Sequence, residues 1–202
     1  MKKYSMENIV DLLNAEFPTR EIDYDTICDF ANSYDLCFDS GETRYCLFQP
    51  HWDKVLKIPR FDNVEDDYGA IEVANYNRAC DLGINRIFLW TAFLTTLDSG
   101  CPIYVQTKFS TDHANMNSYR KLEKLTQNCL RHKICEIARD GMYQSHRINR
   151  LWFARAYQIY GKRFMRIVEE FTKEYRIGDL HAHNLGWLGK QPIILDFAGY
   201  HG

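Results

Sequence analysis

The sequence predicts an α+β fold of two lobes sharing a cleft, and two observations predict it. Between Leu36 and Lys108 lie five segments of strand character, with one helical stretch inserted after the third. Beyond Lys108 the strand signal stops and helical spacing takes over until one short closing hairpin. The 202 residues, 46% hydrophobic and 26% charged, suffice for one ample core or two small lobes. Residues 1–35 read as a helical extension, 36–108 as the sheet-bearing lobe with five antiparallel strands and a helix, and 109–202 as a minimal, mainly helical lobe.

In chain order, Ser5 is placed to cap a helix over 5–16 whose apolar face carries Ile9, Leu12 and Leu13; Pro18 ends it. A second short helix runs from Asp23 to Ser33. Leu36–Phe38 and Arg44–Phe48 flank the turn Asp39-Ser40-Gly41-Glu42 as a hairpin, and Lys54–Ile58 adds a third strand before Pro59. Tyr68–Cys80 has helical spacing through Ile71, Ala74, Tyr76 and Ala79, with Gly83 as its stop. Arg86–Thr95 and Pro102–Lys108 are strands joined by Asp98-Ser99-Gly100. Ser118–Asp140 reads as a helix or helix pair, and Ile148–Tyr175 as a longer helical stretch that breaks near Gly161. Leu185–Leu188 and Ile193–Phe197 form the last strand pair around Gly189-Lys190. The cleft is expected at the crossover near 106–112.

Composition narrows the function. Twenty-five basic against twenty-seven acidic residues give a net charge of −2, which indicates neither nucleic acid nor an anionic membrane as partner. The basic residues Arg147, Arg150, Arg155, Lys162, Arg163 and Arg166 read as a solvated helix face, with a surface for an acidic or phosphorylated partner as the alternative. Seven scattered cysteines without a C-x-x-C pair fit reduced thiols in a cytoplasmic compartment. Glu7 and Asp11 interrupt the N-terminus too early for a signal peptide, and no apolar run approaches a membrane span.

The chemistry concentrates in Ile177–Gly202. Asp179 is followed five residues later by Asn184, and Asp196 closes the apolar run Pro192-Ile193-Ile194-Leu195. An acid, an amide five positions on and an acid after a buried strand can build a metal–phosphate site. The first Asp accepts a proton from an attacking hydroxyl, while the Asn and the second Asp hold Mg²⁺ on a nucleotide's phosphates. Alone, each residue is an ordinary cap or turn residue; the conjunction carries the reading. His181 and His183 form an H-x-H without a third ligand and read as loop-packing residues.

With these residues in view, the chain resembles the protein-kinase-like superfamily. Its loop Gly178-Asp179-Leu180-His181-Ala182-His183-Asn184 is similar in style to the aminoglycoside and choline phosphotransferases. The resemblance implies one kinase-like domain over 1–202, with ATP and Mg²⁺ as cofactors. It makes Asp179 the catalytic base, Asn184 and Asp196 the metal ligands, and Asp196-Phe197-Ala198-Gly199 the counterpart of the DFG element. Lys57 takes the place of the strand lysine on the α- and β-phosphates, with Glu72 as its partner and Glu65 as the lesser candidate. Gly41 would lie over the phosphates, and Gln106 to Lys108 would form the linker whose backbone reads adenine.

The sequence departs from that pattern in ways that bear on function. Ile177 and Gly178 stand where the family has His and Arg, the turn at Gly41 has one glycine where three are usual, and six residues follow Asp196. With no peptide-binding platform, the expected acceptor is a small molecule, the protein itself, or a macromolecule docked by another surface. A pseudokinase that works by binding another protein, with or without nucleotide, is one alternative. Nucleotidyl transfer onto hydroxyls by the same residues is another. A kinase this compact would suit a virus or a secreted effector, and in that case the host cytosol.

Overall fold

A period of two along each strand sorts its residues onto two faces. A computed structural model of the chain describes residues 3–19, 21–60, 67–109, 146–177, 180 and 184–199. Among them are five α-helices: α1 (Met6–Glu16), α2 (Tyr24–Ser33), α3 (Tyr68–Asp81), α4 (His146–Tyr160) and α5 (Lys162–Glu174). The strands are β1 (Cys37–Ser40), β2 (Arg44–Phe48), β3 (Lys54–Pro59), β4 (Thr91–Thr96), β5 (Pro102–Thr107), β6 (Leu185–Leu188) and β7 (Gln191–Ile194). The first five form one antiparallel sheet in the order β1-β2-β3-β5-β4, and β6 pairs with β7 alone. The α+β class with a five-stranded antiparallel sheet therefore holds.

The polypeptide divides into two units, Met1–Val73 with Trp90–Lys108, and Ala74–Leu89 with Phe109–Gly202. In the first, Tyr45, Leu47, Leu56, Ile58 and Ile103 bury one sheet face against Ile9, Leu13, Ile27 and Phe30 of α1 and α2. The N-terminal helices are thus part of the sheet's own core. Side-chain caps start both. Ser5 Oγ accepts from the Asn8 amide at 3.2 Å while Asn8 Oδ1 accepts from the Ser5 amide, and Asp23 Oδ1 accepts from the Thr26 amide at 2.8 Å. The opposite sheet face carries Arg44, Cys46, Lys57, Tyr104 and Gln106, as the registers Cys46↔Lys57 and Lys57↔Tyr104 require.

The second unit packs Trp152, Phe153, Met165, Val168 and Phe171 of α4 and α5 around the β6–β7 hairpin. Trp152 Nε1 donates to the Gly186 carbonyl at 3.0 Å, and the Tyr160 hydroxyl donates to the Pro192 carbonyl at 2.8 Å. Burial pushes the Tyr160 phenol up to about 12. Gly161, at φ +84°, divides the 148–175 stretch into its two helices, because only glycine adopts that angle without strain.

The expected strand Arg86–Thr95 is corrected. Asn85–Ile87 is a 3₁₀ turn, Phe88 pairs with Ile194, Leu89 donates its amide to the Ile194 carbonyl at 2.9 Å, and β4 starts only at Thr91. Ile87, Phe88 and Leu89 are consecutively buried, so this run lacks the alternation of a sheet strand and serves the other unit's core. The helices expected over 118–140 lie outside the described residues. Among those described, no helix is long and apolar enough to cross a membrane, and no disulfide forms.

Candidate functional site

A buried carboxylate needs cations or donors, and Glu72 has three. It is 1% exposed, and its Oε2 accepts from Arg44 Nη1 at 2.6 Å and from Lys57 Nζ at 3.2 Å. Gln106 Nε2 reaches Oε1 at 3.4 Å. The desolvation penalty of a lone buried carboxylate is several kcal/mol, so this convergence keeps the charge tolerable. Strand parity supplies the donors. Arg44, Lys57 and Gln106 sit on β2, β3 and β5, all projecting from the face opposite the α1–α2 core.

The first turn of α3 is fixed on the same face. The Tyr104 hydroxyl donates to Asp67 Oδ2 at 2.5 Å, and burial with this carboxylate raises the phenol well above its ordinary range. The Asp67 Oδ1 accepts from the Ala70 amide at 3.1 Å, capping the helix. Gly69 lies flat on the Tyr104 ring, where a Cβ would come within 2.3 Å of ring carbon. Gly69→Ala is therefore expected to cost about 1–3 kcal/mol by overpacking, which outweighs the gain in helix propensity of under about 1 kcal/mol. Urea unfolding checks this, and pairing the change with Tyr104→Leu should recover part of the loss.

Gly41, Gln106 and Lys108 also belong to the first unit. The Gly41 amide donates to the Arg44 carbonyl at 2.9 Å inside the β1–β2 turn, and Arg60 Nη1 donates to the Gly41 carbonyl at 3.2 Å. Gln106 is a buried member of β5, in register with Val55 and Thr91 on its two sides, so it lies in the strand proper. Lys108 follows β5; its amide donates to the Asp53 carbonyl at 2.8 Å, and its Nζ donates to the Pro50 carbonyl at 3.2 Å over the Phe48 ring.

The second unit gathers the other group. Leu195 donates its amide to the Asn184 carbonyl at 2.9 Å, extending the β6–β7 register by one pair, so Asn184 and Asp196 stand at the same end of the hairpin. Both are partly buried. Asp196 Oδ1 accepts from the Ala198 amide at 3.4 Å, Phe197 is fully buried between Phe88 and Tyr76, and Asn75 Nδ2 donates to the Phe197 carbonyl at 2.8 Å. Ile177 and Leu180, 3% and 1% exposed, anchor the chain on either side of position 179. Asp179 itself lies outside the described residues, as do Glu65, His181 and His183.

Gly199 closes this segment. At φ +84° it would place a Cβ 2.7 Å from the Tyr175 carbonyl oxygen. Gly199→Ala should cost about 2–4 kcal/mol, the left-handed penalty plus a backbone clash. Gly189→Ala is the control. At φ +61° with nothing within 4 Å it should lose only the conformational part, about 1–2 kcal/mol, in the same urea titration.

Sequence reasoning missed Arg44 and Asn75. A signal existed for each: an arginine in the strand pattern Arg44-Tyr45-Cys46-Leu47-Phe48 sits two residues from Cys46 on one face, and Asn75 lies one helical turn from Glu72. No protein-family model, curated protein or solved structure matches the chain.

Proposed function

We propose that the chain is an ATP- and Mg²⁺-dependent phosphotransferase of minimal kinase-like type, moving the γ-phosphate to a hydroxyl of a protein or small molecule. One observation carries the reading: a buried strand lysine, Lys57, paired at 3.2 Å with a buried helix glutamate, Glu72. A lysine so placed is oriented by the carboxylate while retaining donors for phosphate oxygens. Asn184 and Asp196 offer two hard oxygen ligands at one hairpin end, a set that suits Mg²⁺, which takes one or two carboxylates and fills the rest with water and phosphate. Bound there, the ion would neutralise phosphate charge. Asp179 would orient the acceptor hydroxyl and take its proton late, as the oxygen bonds to the γ-phosphorus and ADP leaves.

The second reading is a pseudokinase that binds a partner protein. It is favoured by the Gly41 amide, already donated to Arg44 and so withheld from phosphate.

The test is incubation with γ-labelled ATP and Mg²⁺, with and without chelator, alongside melting curves. The enzyme reading expects chelator-sensitive label on the protein or an added acceptor, and a rise of about 5–10 °C at a hundredfold excess over Kd. Neither label nor rise would sink it. A rise without label supports the pseudokinase, and label from the α-phosphate supports nucleotidyl transfer.

A further inference from the structure

We infer that Arg44 is the positioning residue of this site: it, and not Lys57, anchors the Glu72 carboxylate, which leaves Lys57 free to engage a ligand's phosphate. The inference rests on the phosphotransferase reading for its ligand, but its geometry stands on the first unit alone. Both cations address the same oxygen, Glu72 Oε2, and they do so unequally. Arg44 Nη1 is at 2.6 Å, shorter than the roughly 2.7–2.9 Å usual for a charge-assisted N–H···O hydrogen bond, whereas Lys57 Nζ is at 3.2 Å, at the long end for any N–H···O contact. The stem of Arg44 starts on β2, inside the hairpin whose turn ties Gly41 to Arg44 itself, so the guanidinium is launched from a hydrogen-bonded strand.

Three further contacts hold the carboxylate's helix in place without help from Lys57. Gln106 supports Oε1, Tyr104 holds Asp67, and Gly69 seats the first turn on the Tyr104 ring. An ammonium has three donors, and the described contacts of Lys57 engage one of them, weakly. The result is a division of labour. Glu72 is fixed before any ligand arrives, and it orients Lys57 without capturing it.

The experiment compares Arg44→Met, Arg44→Lys and Lys57→Met in the full chain. Hydrogen exchange of the α3 amides, read with no nucleotide present, reports the anchor. Arg44→Met should accelerate exchange about tenfold or more in residues 68–73, while Lys57→Met should leave it within about twofold of the parent. Equal acceleration by both, or a larger effect of Lys57→Met, overturns the assignment. Titration with MgATP, followed by melting temperature, reads the consequence. Arg44→Met should raise Kd about tenfold although Lys57 is intact, and Arg44→Lys should recover most of that affinity. A merely structural arginine would leave Kd unmoved in the folded fraction, which also overturns the assignment. Should Arg44→Met fail to fold, the Arg44→Lys and Lys57→Met exchange comparison decides, since only loosened α3 exchange in Lys57→Met contradicts the anchor. If the unsubstituted protein binds no MgATP, the phosphotransferase reading fails and the exchange comparison alone supports or overturns the role of Arg44.

Discussion

Glu72→Ala is expected to lower the unfolding free energy of the chain by about 3–5 kcal/mol, as much as truncating a large core side chain. The substitution removes the one oxygen that Arg44 and Lys57 both address, at 2.6 and 3.2 Å, and withdraws the acceptor of Gln106. The positive groups then remain in a site where Glu72 is 1% and Lys57 7% exposed, and solvent cannot take over from the carboxylate. Glu72→Gln keeps the shape and should lose less, about 2 kcal/mol, because charge-assisted hydrogen bonds become ordinary ones. Urea unfolding with tryptophan fluorescence checks both. A loss under about 1 kcal/mol for the alanine would mean that water screens the cluster.

A triple replacement, Glu72→Leu with Arg44→Leu and Lys57→Met, separates stability from function. Well-packed apolar groups in place of a buried ionic cluster are often neutral or stabilising. The triple variant is therefore expected to recover most of the loss while binding no MgATP. Such an outcome would assign the cluster to ligand chemistry, since the fold does not need it.

The β1-β2-β3 meander was legible because a period of two and turn residues mark its strands, whereas the placement of β5 beside β3 was not. Once β3 is read with Leu56 and Ile58 inward, Lys57 must project from the other face, and a lysine there needs a carboxylate within reach. The same parity applies to Arg44, but a residue at the start of a strand next to a turn looks solvated until the pairing Arg44↔Pro59 sets it inside the sheet. Arg86–Thr95 shows the converse limit. Its apolar run is continuous, and local pattern cannot say that Phe88 and Leu89 pair with Ile194, more than a hundred residues away, while Thr91 starts a strand elsewhere. Non-local partners decide such a segment. In the last segment, alternation and turn residues located the β6–β7 hairpin, with β7 two residues late at its start and three at its end. What they could not show is the clamp behind it, where Asn75 and the Tyr175 carbonyl fix the backbone from Phe197 to Gly199.

That clamp makes Asp196→Ala a clean functional test. The carboxylate is partly buried, and its Oδ1 accepts from the Ala198 amide at 3.4 Å. The position of the segment depends on its neighbours: Phe197 fully buried, Asn75 on the Phe197 carbonyl at 2.8 Å, and Gly199 under Tyr175. Removing the Asp196 side chain should leave melting temperature within about 2–4 °C, the equivalent of roughly 1 kcal/mol in a chain of this size. On the proposed phosphotransferase reading, phosphoryl transfer should nevertheless fall about 10²–10³-fold, the usual consequence of losing one group that stabilises transition-state charge. The extra melting shift that Mg²⁺ adds to ATP should vanish, while ATP without Mg²⁺ still binds through Lys57. Asn184→Ala should lie between the two proteins, since an amide oxygen contributes no charge to the ion. An Asp196→Ala protein that keeps its magnesium-dependent shift and its transfer rate would remove Asp196 from the metal site and, with it, the phosphotransferase assignment of the hairpin.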